Sequence, residues 1–169
     1  NDIWPHEWDL SSTKYYGDGP GPLNIDGVTI DTYAVANERT NSKMSAIGTA
    51  CHEFSHCLGY ADLYDVDYSG GQGMMSWDLM DSGSYNGPND MGEVPAAFTS
   101  FERWGAGWID LVELNSPQFI CDMPAINDEP VAFVIYNDAH KDEYYLLENR
   151  QAKRWDSYTA CNNNGTGHG

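Results

Sequence analysis

Apolar residues recur at helical spacing over residues 43–58, where Met44, Ile47, Cys51, Phe54 and Leu58 fall three and four apart. The pattern predicts a helix from about Lys43 to Leu58, capped by Asn41 or Ser42 and ended at Gly59 in a left-handed turn. A second amphipathic run, Val94, Ala97, Phe98, Phe101 and Trp104, predicts a helix over 94–104, with Pro95 in its first turn and Gly105 past its end. Residues 28–36 alternate and predict a strand with one polar face. Residues 131–136 and 143–150 are rich in β-branched and aromatic side chains, and the DAHKD segment between them suits a hairpin connection. Residues 11–27 and 60–73 read as loops, and 74–87 as irregular. Residues 105–114 open a strand-rich second part. Helices and strands segregated in this way predict an α+β chain.

The first helix carries His52-Glu53-Phe54-Ser55-His56, an H-E-x-x-H pattern. On a helix the two imidazoles lie about 40° apart around the axis and roughly 6 Å apart along it, a geometry that can bind one Zn²⁺. The apolar stripe is centred about 140° from the histidines on the helical wheel. The histidine face otherwise carries the small residues Ser45, Gly48 and Thr49. The stripe is therefore expected on the core side and the histidines on an open side.

A zinc site of this kind needs a third protein ligand and an open fourth position. The turn at Gly59 brings the chain back towards the helix, and Asp62 completes H-E-x-x-H-x-x-G-x-x-D. Asp65 and Glu102 are the alternatives as third ligand. Glu53, between the two histidines, suits a general base that takes a proton from water and passes it to a leaving amine. His6 lies beside Trp4 and Trp8, which are expected to pack on the body, and reads as structural.

Composition narrows the partners. There are 8 Lys and Arg against 26 Asp and Glu, a formal net charge of −18, which argues against nucleic-acid binding. Such an excess suits a solvated acidic surface and is compatible with structural Ca²⁺. No apolar run approaches the length of a membrane span. Cys51 and Cys57, six apart on one helix, face different sides and cannot bond to each other. Cys121 and Cys161 are free to pair by sequence position. Neither terminus reads as natural, so the 169 residues are expected to be part of a longer protein.

The stretches HEFSHCLGYADLYD and SWDLMDSGS resemble the immune inhibitor A family of secreted bacterial metallopeptidases, which has the form HEFGHxLGxxDLYD followed by WDLM and a Gly/Ser-rich tail. IWPHEWDL at 3–10, YYLLENRQ at 144–151 and GHG at 167–169 are similar to further motifs of the family. Ser55 stands where the family usually has Gly. The resemblance implies a metzincin-like catalytic domain with a twisted sheet, an active-site helix, a methionine turn and a second helix after it. It implies a single catalytic domain over 1–169, incomplete at both ends, with a core at about 1–110 and a strand-rich extension at about 111–169. It further implies Zn²⁺ held by His52, His56 and Asp62, Glu53 as catalytic base, Met80 as the hydrophobic floor below the metal, and structural calcium in several members. Tyr85 is the nearest candidate to assist the oxyanion. The expected protein is a secreted or cell-surface monomeric zinc endopeptidase acting on proteins or peptides. The competing readings are a non-catalytic metal-containing binding or adhesin domain, which intact His52, Glu53, His56 and Asp62 disfavour, and a hydrolase of some other amide bond.

Overall fold

A computed structural model describes residues 3–40 and 42–159. Its elements are mixed helix and strand, as an α+β chain requires. The first strand, β1 (His6–Asp9), pairs antiparallel with β4 (Thr32–Val35), placing Trp8 opposite Tyr33. Between them lie helix α1 (Leu10–Tyr16) and the hairpin of β2 (Leu23–Ile25) with β3 (Val28–Ile30). The single strand expected over 28–36 is thus two strands that serve different partners. The break falls at Asp31. Its carbonyl accepts the amide of Leu10, and its carboxylate takes the amide and hydroxyl of Ser11, so a local side-chain bond competes with the ladder. The same Ser11 bonds hold the Asp31 carboxyl below its ordinary range.

Helix α1 falls inside the segment expected as loop. Asp9 caps it, its carboxylate accepting the amide of Ser12, and Gly17 ends it at φ +82°. Trp4 and Trp8 are exposed rather than packed on the body, whereas His6 stacks edge-on against Tyr33 and lies with Nδ1 2.7 Å from the Trp4 carbonyl.

The helix that carries His52 and His56, α2 (Ile47–Cys57), starts four residues later than expected. Lys43 and Met44 form β6 (Lys43–Met44), paired with β5 (Arg39–Thr40), so they cannot also be helical. Asn41 lies outside the described residues. Ser42 takes φ +65° in the hairpin turn and caps nothing on α2. The N-cap position is Ala46, with no side-chain cap, and an orphan amide of the first turn, that of Gly48, donates instead to the Gly92 carbonyl.

The apolar stripe of α2 does not face a core. Met44, Ile47, Phe54 and Leu58 are exposed, and the buried residues of the helix are Gly48 and Ser55. The histidine side is the packed side. Gly48 is required there: a Cβ would sit 1.8 Å from the Ser84 carbonyl oxygen. The small residues of that face therefore admit backbone, rather than leaving it open.

Helix α3 (Ser100–Gly105) is shorter than the predicted 94–104. Residues 94–98 are not helical; the amides of Val94 and Ala96 donate to the Asn86 and Gly83 carbonyls and that of Ala97 to the Asp156 carboxylate, which hold this segment against the preceding turn and the C-terminal part. The helix opens on a capping box between Thr99 and Glu102.

The strand-rich part is a three-stranded sheet in which β7 (Leu111–Glu113) runs parallel to β8 (Ala132–Tyr136), and β8 pairs antiparallel with β9 (Tyr144–Leu147). Tyr136 opposite Tyr144 closes the expected hairpin. The other described strand pairs are two-stranded ribbons, in place of one twisted sheet. Ile109, Ile126 and Ala132 form a small core, with Trp104 and Leu111 against it. A polar seam joins this part to α3: Ser100 donates its amide to Glu148, and Arg150 pairs with the fully buried Asp156 and donates to the Ala97 carbonyl.

Candidate metal centre

One helical turn separates His52 from His56, and their rings lie 4.9 Å apart at 88° to each other. The helix then ends in a Schellman motif. Gly59 adopts φ +95° and donates to the His56 carbonyl, while Tyr60 donates to the Ser55 carbonyl. That left-handed turn reverses the chain within four residues. It delivers Asp62 Oδ1 to 3.1 Å from His52 Nε2 and 3.2 Å from His56 Nε2.

Both imidazoles are oriented from behind. His52 Nδ1 lies 2.8 Å from the Leu79 carbonyl, and His56 Nδ1 lies 2.7 Å from the Tyr60 carbonyl. A carbonyl only accepts, so Nδ1 carries a proton in each ring, and in the neutral imidazole Nε2 then keeps its lone pair. Two lone pairs then point at a carboxylate oxygen at contact distance, which is repulsive unless a cation lies among them. Asp62 Oδ1 is buried and lacks a hydrogen-bond donor. The three ligand atoms lie within 4.8 Å of one another, and this is the one such cluster among the described residues. Two neutral imidazoles and one carboxylate form a donor set suited to Zn²⁺.

The loop that carries Asp62 is fastened to the segment beneath the histidines. Leu63 donates to the Met80 carbonyl, and Met74 donates to the Leu63 carbonyl. Met80 is fully buried, directly after the residue whose carbonyl holds His52. Asp81 ties the turns on either side of it together, its carboxylate accepting the amides of Met75 before it and Ser82 after it.

Glu53 is half-buried, and among the described residues nothing hydrogen-bonds its carboxylate. Its charge reaches Tyr64, a residue that sequence reasoning passed over. The Tyr64 hydroxyl faces the Asp62 carboxylate. Burial, then Asp62, then Tyr68 and Glu53 push that hydroxyl up to about 12, so it remains a donor. Its spacing, two residues after a proposed ligand, was the available signal.

The two alternatives for third ligand are committed elsewhere. Asp65 accepts the amide of Gly70 and the hydroxyl of Ser69, within its own loop. Glu102 is buried in the capping box of α3. Tyr85 ends the short 3₁₀ turn Ser82–Tyr85, more than half exposed, and its ring lines a groove of about 680 Å³ with Thr49, Ala50 and Met91. Cys51 and Cys57 are unbonded. Cys161, which is free to pair with Cys121 by sequence position, and the GHG segment lie outside the described residues.

Residues 1–109 match the family described as immune inhibitor A peptidase M6, catalytic domain. The chain belongs to the immune inhibitor A family. It is 29% identical over 126 residues to "Immune inhibitor A" of Bacillus thuringiensis subsp. alesti, a match covering 67% of this chain and 17% of that protein. It is 30% identical over 120 residues to "Pre-pro-metalloprotease PrtV" of Vibrio cholerae serotype O1 (strain M66-2), covering 67% of this chain and 13% of that protein. The chain therefore spans less than a fifth of the length of these relatives. The family match includes all of α2, the Asp62 loop, Met80 and α3. Among the described residues no helix is long and apolar enough to cross a membrane.

Proposed function

We propose that this immune inhibitor A family chain is the metzincin-like catalytic part of a secreted or cell-surface zinc endopeptidase, acting as a monomer on protein substrates. The observation that carries the proposal is the convergence of His52 Nε2, His56 Nε2 and the donor-less Asp62 Oδ1 on one point. These three residues would hold Zn²⁺, which when bound acidifies water and polarises a carbonyl.

The chain's own groups supply the remaining chemistry. The Leu79 and Tyr60 carbonyls fix both imidazoles in the tautomer that offers Nε2. Tyr64 holds the Asp62 carboxylate from its other side. Glu53, on the same helix and free of competing bonds, accepts the proton of the attacking water and returns it to the amine nitrogen as the peptide bond breaks. Met80 supports the Asp62 loop through its carbonyl and forms the apolar floor of the site.

The test pairs metal content with hydrolysis. Glu53→Gln is expected to retain one zinc per chain while caseinolysis falls by about 10²–10⁴-fold, the usual contribution of a general base. Hydrolysis at the original rate in that variant would remove Glu53 from the mechanism.

A further inference from the structure

Two carboxyl groups lie behind the ligand cluster, and the proposed chemistry uses neither. Asp78 is 0% and Glu102 2% exposed. Asp78 Oδ1 accepts the Met80 amide at 2.6 Å. Glu102 Oε2 accepts the amide of Thr99 at 2.8 Å and also its hydroxyl. The remaining oxygens, Asp78 Oδ2 and Glu102 Oε1, are both buried and both lack an amide or hydroxyl donor. The two carboxyl groups face each other, and two carboxyl oxygens can hydrogen-bond each other only with a proton between them.

Their place in the fold gives the bridge a consequence. Asp78 immediately precedes Leu79, whose carbonyl orients His52. The Glu102 backbone carbonyl accepts the Tyr60 hydroxyl at 3.0 Å, and the Tyr60 carbonyl orients His56. The bridge thus ties together the two segments that aim the imidazoles.

We propose that Asp78 and Glu102 share one proton and, through that bond, act as positioning residues that keep the Leu79 and Tyr60 carbonyls, and with them both histidines, set for metal. The positioning role rests on reading His52 and His56 as ligands; the shared proton does not.

Charged and titratable groups face the pair from several elements. Arg150, which pairs with Asp156 and Glu148, faces Asp78. Tyr60 and Arg103 face Glu102. Burial, then Asp78, push the Glu102 carboxyl from 4.5 up to about 8, against the two Thr99 bonds that pull it down. The fold therefore binds a proton that the unfolded chain has released between these values. This contribution to stability is full below about 4.5, declines as pH rises, and is lost above about 8.

Glu102→Gln separates the possibilities. Its amide oxygen can take the Thr99 bonds, and its NH₂ can donate to Asp78 at any pH. The experiment follows thermal unfolding of the metal-free full chain from pH 5.5 to 9, and measures Zn²⁺ affinity by chelator competition at pH 6.5 and 9. We expect the unfolding temperature of the wild type to fall across this range relative to Glu102→Gln. We expect the wild-type zinc affinity, relative to the variant, to drop about tenfold at the higher pH, the scale of an outer-shell effect. Glu102→Ala, which restores no donor, is expected below both at every pH. Parallel unfolding curves for wild type and Glu102→Gln would overturn the shared proton. Divergent curves with a constant affinity ratio would overturn the positioning role. Absence of zinc binding by the wild type at pH 6.5 would instead overturn the metal reading, with the unfolding curves still judging the pair.

Discussion

Leu79 offers its carbonyl oxygen to His52 Nδ1 at 2.8 Å, across 27 residues of chain. This contact links α2 to the buried segment beneath it. It assigns the tautomer that turns Nε2 towards Asp62. The proposed metal centre is therefore a tertiary object: α2 supplies the imidazoles, and segments outside it set their direction.

Asp62, the proposed third ligand, is the one that depends most on the turn at Gly59. Asp62→Asn keeps the shape of the side chain and one carbonyl oxygen but removes the charge. Zinc affinity is expected to fall at least tenfold, measured by competition with a chromophoric chelator. Unaltered affinity would transfer the third position to another group.

Gly48 admits the Ser84 carbonyl against the helix, and a Cβ would meet that oxygen at 1.8 Å. The contact is backbone on both sides, so neither partner can rotate away. Gly48→Ala is expected to destabilise the fold by about 1–3 kcal/mol, the scale of overpacking. Urea denaturation of the metal-free chain would measure it, and an unchanged midpoint would show that the helix and the Ser82–Tyr85 turn are not tightly apposed.

Arg150 and Asp156 meet at 2.8 Å with side chains 7% and 0% exposed. Asp156 also accepts the Ala97 amide and an Asn127 amide hydrogen, so it joins three segments. Asp156→Ala leaves Arg150 with fewer acceptors in a buried setting. The expected loss is about 3–5 kcal/mol, visible as a lowered melting temperature, with the strand-rich part and the approach to α3 loosening together.

The part of the site legible in the sequence was the part encoded locally. H-E-x-x-H spacing, the Gly59 turn and Asp62 lie within eleven residues, and helix geometry alone brings the histidines together. The start of α2 was not legible, because its first-turn amide finds the Gly92 carbonyl, more than forty residues away, instead of a capping side chain. The apolar stripe misled for a related reason. Its period is helical, but backbone from the Ser82–Tyr85 turn and Gly92 packs against the opposite, small-residue face. The 94–104 run likewise has helical spacing, yet its first residues are held non-helical in tertiary contacts with Asn86, Gly83 and Asp156. Glu102 looked like a possible ligand by residue type. Its burial in the capping box, facing Asp78, arises from contacts that no spacing announces.

The most direct measurement is X-ray absorption at the zinc edge on the metal-loaded chain. The account predicts two imidazole nitrogens and light oxygen ligands at about 2.0–2.2 Å, with no sulfur at about 2.3 Å. One imidazole shell should disappear in His56→Ala. A sulfur shell from Cys51 or Cys57, or a spectrum unchanged by His56→Ala, would contradict the assignment of His52, His56 and Asp62 as the metal centre.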